Sequence, residues 1–138
     1  MSFPTDIASL LNLLPHPEGG YYKETYRCDE STTRTDGSTR SAGTAIYYLL
    51  VGTKPAAWHR VASDEIWHYY AGDVLELELR NDDGTTTIHK LGFDLANGAL
   101  PQFIIPKNTW QRARCTGEWT LVGCTVSPGF DFADFEME

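Results

Sequence analysis

The 138 residues, 41% of them hydrophobic and 22% charged, are enough for one domain around a single core. A net charge of −8 and an isoelectric point near 4.9 leave no basic cluster to neutralise phosphates, which argues against a nucleic-acid partner. The three cysteines (Cys28, Cys115, Cys124) are an odd count without C-x-x-C spacing, against a disulfide framework or a structural zinc site, and no apolar run approaches the roughly 20 residues of a membrane span.

The N-terminus reads M-S-F-P-T-D, with neither a basic stretch nor an apolar core, so no signal peptide is expected and the predicted location is the cytoplasm. Thr5 or Asp6 is the expected cap of a short helix. Its apolar residues Ile7, Leu10, Leu11 and Leu14 recur at helical spacing, and Pro15 and Pro17 stop it. His16 to Gly20 reads H-P-E-G-G, a tight turn in which His16 and Glu18 are either rim residues of a pocket or ordinary solvated polar groups.

Strand alternation over 21–27 places Tyr22, Glu24 and Tyr26 on one face, with Glu24 either a buried acid between phenols or an edge charge. The polar stretch 28–41 predicts a long loop or irregular hairpin. Further strands are expected over 44–51, 57–61, 65–71, 74–80, 86–91, 102–105, 110–114 and 119–126, with N-D-D-G at 81–84 as a hairpin turn. An aromatic, acidic tail follows from Phe130 to Glu138. About nine short strands, no βαβ alternation and no linker predict a single all-β domain. Its expected form is an antiparallel jelly-roll barrel or sandwich with a short N-terminal helix. The expected layout is helix and turn at 5–20, barrel at about 21–127 and tail at 128–138.

The stretch around His59 carries the chemistry. His59 precedes Glu65 by six residues, and Gly72-Asp73 then marks a turn. Strand parity puts Glu65, Trp67 and Tyr69 on one inward face with His59, while Ile66 and His68 face away. His89 is expected in an ordinary core or surface position. Pro106 to Gln111 (P-K-N-T-W-Q) reads as a second hairpin facing the first, supplying Trp110 or Gln111 as another wall.

His59-x-Val61-x3-Glu65-x6-Gly72 resembles the first cupin motif, and Pro106-x-Asn108-x2-Gln111 the second. More specifically, L-L-P-H-P-E-G-G-Y-Y-K-E-T-Y-R, T-A-I-Y-Y-L-L, W-H-R-V-A-S-D-E-I-W-H and V-S-P-G-F-D-F-A-D-F-E resemble the cupin-5 family, a domain of unknown function. The resemblance implies a jelly roll and usually a homodimer. The departures from the motif count as much. Val61 stands where a second histidine belongs and cannot ligate, and Gln111 stands in the third-histidine position with only a neutral amide oxygen. The expectation is therefore no bound metal; one that did bind would use His59, Glu65 and Gln111.

A metal-free pocket for a small-molecule ligand remains. In the leading reading it is an acid–base enzyme, isomerase- or epimerase-like on a sugar-type substrate. His59 is then the base, Glu65 its orienting partner, and Tyr69 or Tyr22 the acid. Tyr22, Glu24, Trp67, Trp110 and Gln111 complete the expected ligand wall. A sugar-nucleotide substrate would also need counter-charges for its diphosphate, for which Arg40, Arg60 and Arg112 are scattered candidates. The alternatives are a non-catalytic binder of a partly apolar molecule and a metal-dependent cupin oxygenase or isomerase.

Overall fold

The computed structural model describes residues 3–138, with side chains from residue 6 onward. Helix α1 (Phe3–Leu10) is followed in chain order by thirteen strands. They are β1 (Leu14–Pro15), β2 (Tyr21–Arg27), β3 (Ser31–Thr33), β4 (Thr39–Ser41), β5 (Thr44–Val51), β6 (His59–Val61), β7 (Asp64–Gly72), β8 (Leu75–Arg80), β9 (Thr86–Leu91), β10 (Gln102–Ile105), β11 (Trp110–Cys115), β12 (Trp119–Ser127) and β13 (Phe135–Met137).

Two antiparallel layers face each other as a jelly-roll sandwich. One has the order β1-β2-β5-β12-β7-β10 and the other β13-β6-β11-β8-β9, with β3 and β4 as a separate hairpin. The alternation that predicts the strands also explains the layers. In β7, Glu65 and Trp67 are buried while Ile66 and His68 are not; in β11, Gln111, Ala113 and Cys115 point inward. Leu75, Leu77, Leu91, Ile105, Ala113, Cys115 and Val122 pack together as the apolar part of the interlayer space. Gly72 turns the chain at φ 96°, and a Cβ there would lie 2.4 Å from the Trp119 carbonyl oxygen, so only glycine fits.

Three local expectations change. Thr5 and Asp6 fall inside α1 rather than ahead of it, and the helix ends at Leu10, well before the prolines. Leu10 and Leu14 are exposed, while Leu13 is buried. Of the two forms expected for residues 28–41, the hairpin is the one found, as β3–β4. The tail is not a mere extension: its end pairs as β13 on β6, joining Phe135 to Val61, Glu136 to Arg60 and Met137 to His59. Among the described residues, no helix is long and apolar enough to cross a membrane.

Candidate functional site

The H-P-E-G-G turn is built to aim side chains inward. Its ends are tied by His16 N–H to the Gly20 carbonyl (2.9 Å) and Gly19 N–H to the His16 carbonyl (3.0 Å). Gly20 sits at φ 75°, and a Cβ on it would lie 2.7 Å from the Leu49 carbonyl oxygen, so the turn presses directly on β5. The buried Tyr48 hydroxyl donates to the Gly19 carbonyl (2.6 Å), and Ala57 N–H donates to the Glu18 carbonyl (2.8 Å). Pinned by β5 and by the segment leading into β6, the turn directs His16 and Glu18 into the space between the sheets, each with only 6% of its side chain exposed.

Between the sheets at this end lies a cavity of about 40 Å³. His16, Glu18, His59 and Glu65 supply its polar groups; Ile46, Val61, Val126 and the aromatic residues Tyr22, Tyr48, Trp67, Phe130 and Phe135 supply most of the rest. Glu18 Oε2 contacts His59 Nδ1, which also lies 3.3 Å from the Ala57 carbonyl oxygen. Glu65 Oε1 instead accepts from Gln111 Nε2 at 2.8 Å. Gln111 stands opposite His59 in the β6–β11 register, so the two motifs do meet across adjacent strands.

The protonation pattern follows from these neighbours. Burial pulls His59 down, but the Glu18 charge and contact, with the Glu65 charge behind them, outweigh it and hold the imidazole above its ordinary value. Burial pushes the Glu65 carboxyl up, against the opposing pull of His59 and the Gln111 amide. The Trp67 indole N–H also helps to hold Glu65 down, although it is not aligned for a full hydrogen bond. His16 goes the other way: burial lowers it, and His59 adds to the effect against the counter-pull of Glu18. Because the Glu18 backbone N–H donates to His16 Nδ1 (3.1 Å), the neutral ring carries its proton on Nε2. Glu18 Oε1, 3.6 Å from the same Nδ1, is therefore a neighbour of a neutral ring rather than half of an ion pair.

The structure gathers His59, Glu65, Trp67, Tyr22 and Gln111 at or beside the cavity. Three expected residues lie elsewhere. Tyr69 has the right parity but sits farther along β7, where its hydroxyl donates to the Gly72 carbonyl and its ring meets Phe93 edge-on at 5.2 Å. Glu24 is an exposed partner of Arg27 (2.6 Å), and a β-bulge follows it, between Glu24 and Tyr26. Trp110 is the outward neighbour of Gln111, flanked by the Arg60 and Arg80 guanidinium groups at 4.8 and 5.1 Å. His68 faces away from the cavity, as parity requires, with Nε2 3.0 Å from the Thr125 hydroxyl. His89 packs against Phe103 at 4.4 Å.

The expected pairing of His59 with Glu65 is also revised: Glu18 makes the contact. The available signal was the H-x-E spacing next to two glycines, which sequence alone leaves equally compatible with a solvated turn. The C-terminal aromatic residues are a second set that sequence reasoning left out of the site. Phe135 stacks on His59 with ring centres 5.4 Å apart and planes 25° apart.

The cupin motif positions do not form a metal-binding set. Val61 lines the cavity as an alkyl group, and the Gln111 amide is engaged with Glu65. Among the described residues, no group of three or more His, Cys, Asp or Glu side chains is arranged to hold a metal ion.

A two-layer antiparallel jelly roll with a cavity between the layers, fed by the His59–Gly72 and Pro106–Gln111 segments, is a cupin. The match of residues 5–138 to the Cupin_5 model, described as Cupin superfamily (DUF985), shows that the chain belongs to that family. An uncharacterized protein of Saccharomyces cerevisiae, YML079W, is 30% identical over 95% of this chain and 74% of its own length. A hypothetical protein from Leishmania major superposes with a TM-score of 0.88 at 34% identity, over 96% of this chain and 85% of its own. Protein SO0799 from Shewanella oneidensis gives 0.88 at 36% identity, over 96% and 82%. Oxalate decarboxylase from Bacillus subtilis shares the fold alone, with a TM-score of 0.63 at 13% identity over 89% of this chain and 29% of its own.

Proposed function

We propose that this cupin binds a small, uncharged hydroxy-carbonyl molecule of a sugar type and moves protons on it without a metal, as an isomerase or epimerase does. The observation that carries this reading is the coexistence, in one buried cavity, of groups whose environments push their proton affinities apart: His59 up, Glu65 up and His16 down. In the proposed chemistry His59, kept protonated by Glu18, is the acid. Glu65, a stronger base than an ordinary carboxylate because it is desolvated, takes the proton from carbon. His16 offers a neutral N–H to the developing oxyanion. Tyr22 remains on the cavity wall, whereas Tyr69 has no part in the scheme.

A diphosphate-bearing substrate fits poorly. Among the described residues no lysine or arginine lines the cavity, and Arg40, Arg60 and Arg112 are paired with Asp134, Glu136 and Glu78 outside it. The mostly apolar lining favours a second reading, a binder of a small, partly apolar ligand without turnover. A homodimer in the cytoplasm accompanies either reading.

The test begins with native mass spectrometry of protein purified without chelator, to identify any retained molecule. That molecule is then incubated with the protein in deuterium oxide. Exchange of a carbon-bound hydrogen by the wild type, lost in Glu65→Gln, supports the enzyme. A retained molecule returned unlabelled by the wild type supports the binder.

A further inference from the structure

We propose that the segment 135–138 is a lid over the cavity: Phe135 is its plug, and the Glu136–Arg60 and Glu138–Arg80 ion pairs are its latch. The proposal rests on the reading that the cavity receives a ligand, and adds how that ligand enters.

At about 40 Å³ the closed cavity holds little more than water, far below the few hundred Å³ of an ordinary small-molecule site. His59 and Glu65 are 3% and 7% exposed, so some wall must move before anything larger reaches them. Most walls cannot move cheaply. β5, β12 and β7 are interior strands of one layer, and β6 and β11 are interior strands of the other. The H-P-E-G-G turn is held by Tyr48 and Ala57.

β13 is different. It is an edge strand that pairs only with β6, over three residue pairs. Its ring, Phe135, lies on His59 and 5.9 Å from His16, covering both histidines. Its carboxylates, on side chains 57% and 53% exposed, meet Arg60 and Arg80 at 2.7 Å, and exposed ion pairs of this kind break readily. Trp110 lies under Arg60, and Trp58 and Trp110 flank Arg80, which keeps both guanidinium groups in place as a fixed catch.

The segment just before the lid is anchored. Asp134 receives Arg40 at 2.8 Å and Arg34 at 3.2 Å, and Phe130 N–H donates to the Thr44 hydroxyl at 2.8 Å. The hinge therefore falls between Asp134 and Phe135.

Carbethoxylation of His16 by diethyl pyrocarbonate at neutral pH, mapped by peptide mass spectrometry, reads access to the cavity directly. Burial keeps His16 in the unprotonated form that reacts, and His68, outside the cavity, is the internal reference. Removing residues 135–138 should raise the His16-to-His68 modification ratio about tenfold, because the local opening step is gone. A cysteine pair at Arg60→Cys and Glu136→Cys, facing positions in the β6–β13 register, should lower the ratio several-fold below wild type when oxidised and, with the Arg60–Glu136 latch gone, raise it to wild type or above on reduction. A stapled protein modified as fast as the wild type overturns the lid, even if the shortened chain does not fold. An unchanged ratio in a folded shortened chain overturns it as well. Neither readout needs a ligand, so this proposal fails separately from the acid–base reading.

Discussion

Glu18, carried on the turn before β2, closes onto Nδ1 of His59 at the start of β6, and this buried contact sets the charge state of the cavity. Replacing Glu18 by Gln keeps the shape and removes the charge that outweighs burial at His59. The imidazole should then titrate below its ordinary value instead of above it, read from the His59 C2–H signal by NMR across pH. Leaving a buried partner unpaired should also cost about 3 kcal/mol in urea unfolding below neutral pH. A His59 titration unmoved by the substitution would dismiss Glu18 as the controlling charge.

Stability should fall as pH rises through the cavity's own titrations. Glu65 and His59 both have folded values above their unfolded references of 4.5 and 6.5. Each therefore contributes stability that is complete below its reference and lost as pH climbs through its raised folded value. His16, lowered from 6.5, acts in the opposite sense: its contribution is present above that reference and lost as pH falls through its folded value. Denaturation midpoints measured across pH should show Glu65→Gln flattening the decline that begins above 4.5, the Glu65 reference. A decline unchanged in that variant would place its origin elsewhere.

For the reaction, Glu65→Gln should lower turnover about 10²-fold or more while leaving the fold intact, the usual scale for a positioned proton-transfer group. A binder would show only altered affinity. Tyr69→Phe should leave turnover near the wild-type value, because its hydroxyl is committed to Gly72 away from the cavity.

Elemental analysis of protein purified without chelator should find well under one equivalent of zinc, iron, manganese or nickel. The expectation rests on Val61 in a ligand position and on the engagement of the Gln111 amide with Glu65. One tightly held equivalent would overturn it.

Sedimentation at micromolar concentration should report a two-fold dimer. β2 is almost wholly exposed along its length, only the two-residue β1 shields its edge, and Leu10, Leu14 and Tyr26 stand exposed nearby. A second copy covering this face would bury them. A monomer would leave these side chains without an explanation.

Much of this site could be read from residue order alone, because strand parity is local. A period of two places Glu65 and Trp67 together, turns His68 away and separates Trp110 from Gln111 once either is assigned inward. The loss of a ligand at Val61 is an equally local fact of residue chemistry. What lay beyond the sequence was which side chains meet across the two layers. Parity cannot say that Tyr69 lies too far along β7 to reach His59, or that Glu24 is exposed and paired with Arg27. It also cannot show that Glu18 rather than Glu65 contacts His59, or that Phe135 returns from the tail to cover it. Those contacts join residues far apart in the chain, and they exist only after the turn, the two sheets and the C-terminal strand have packed together.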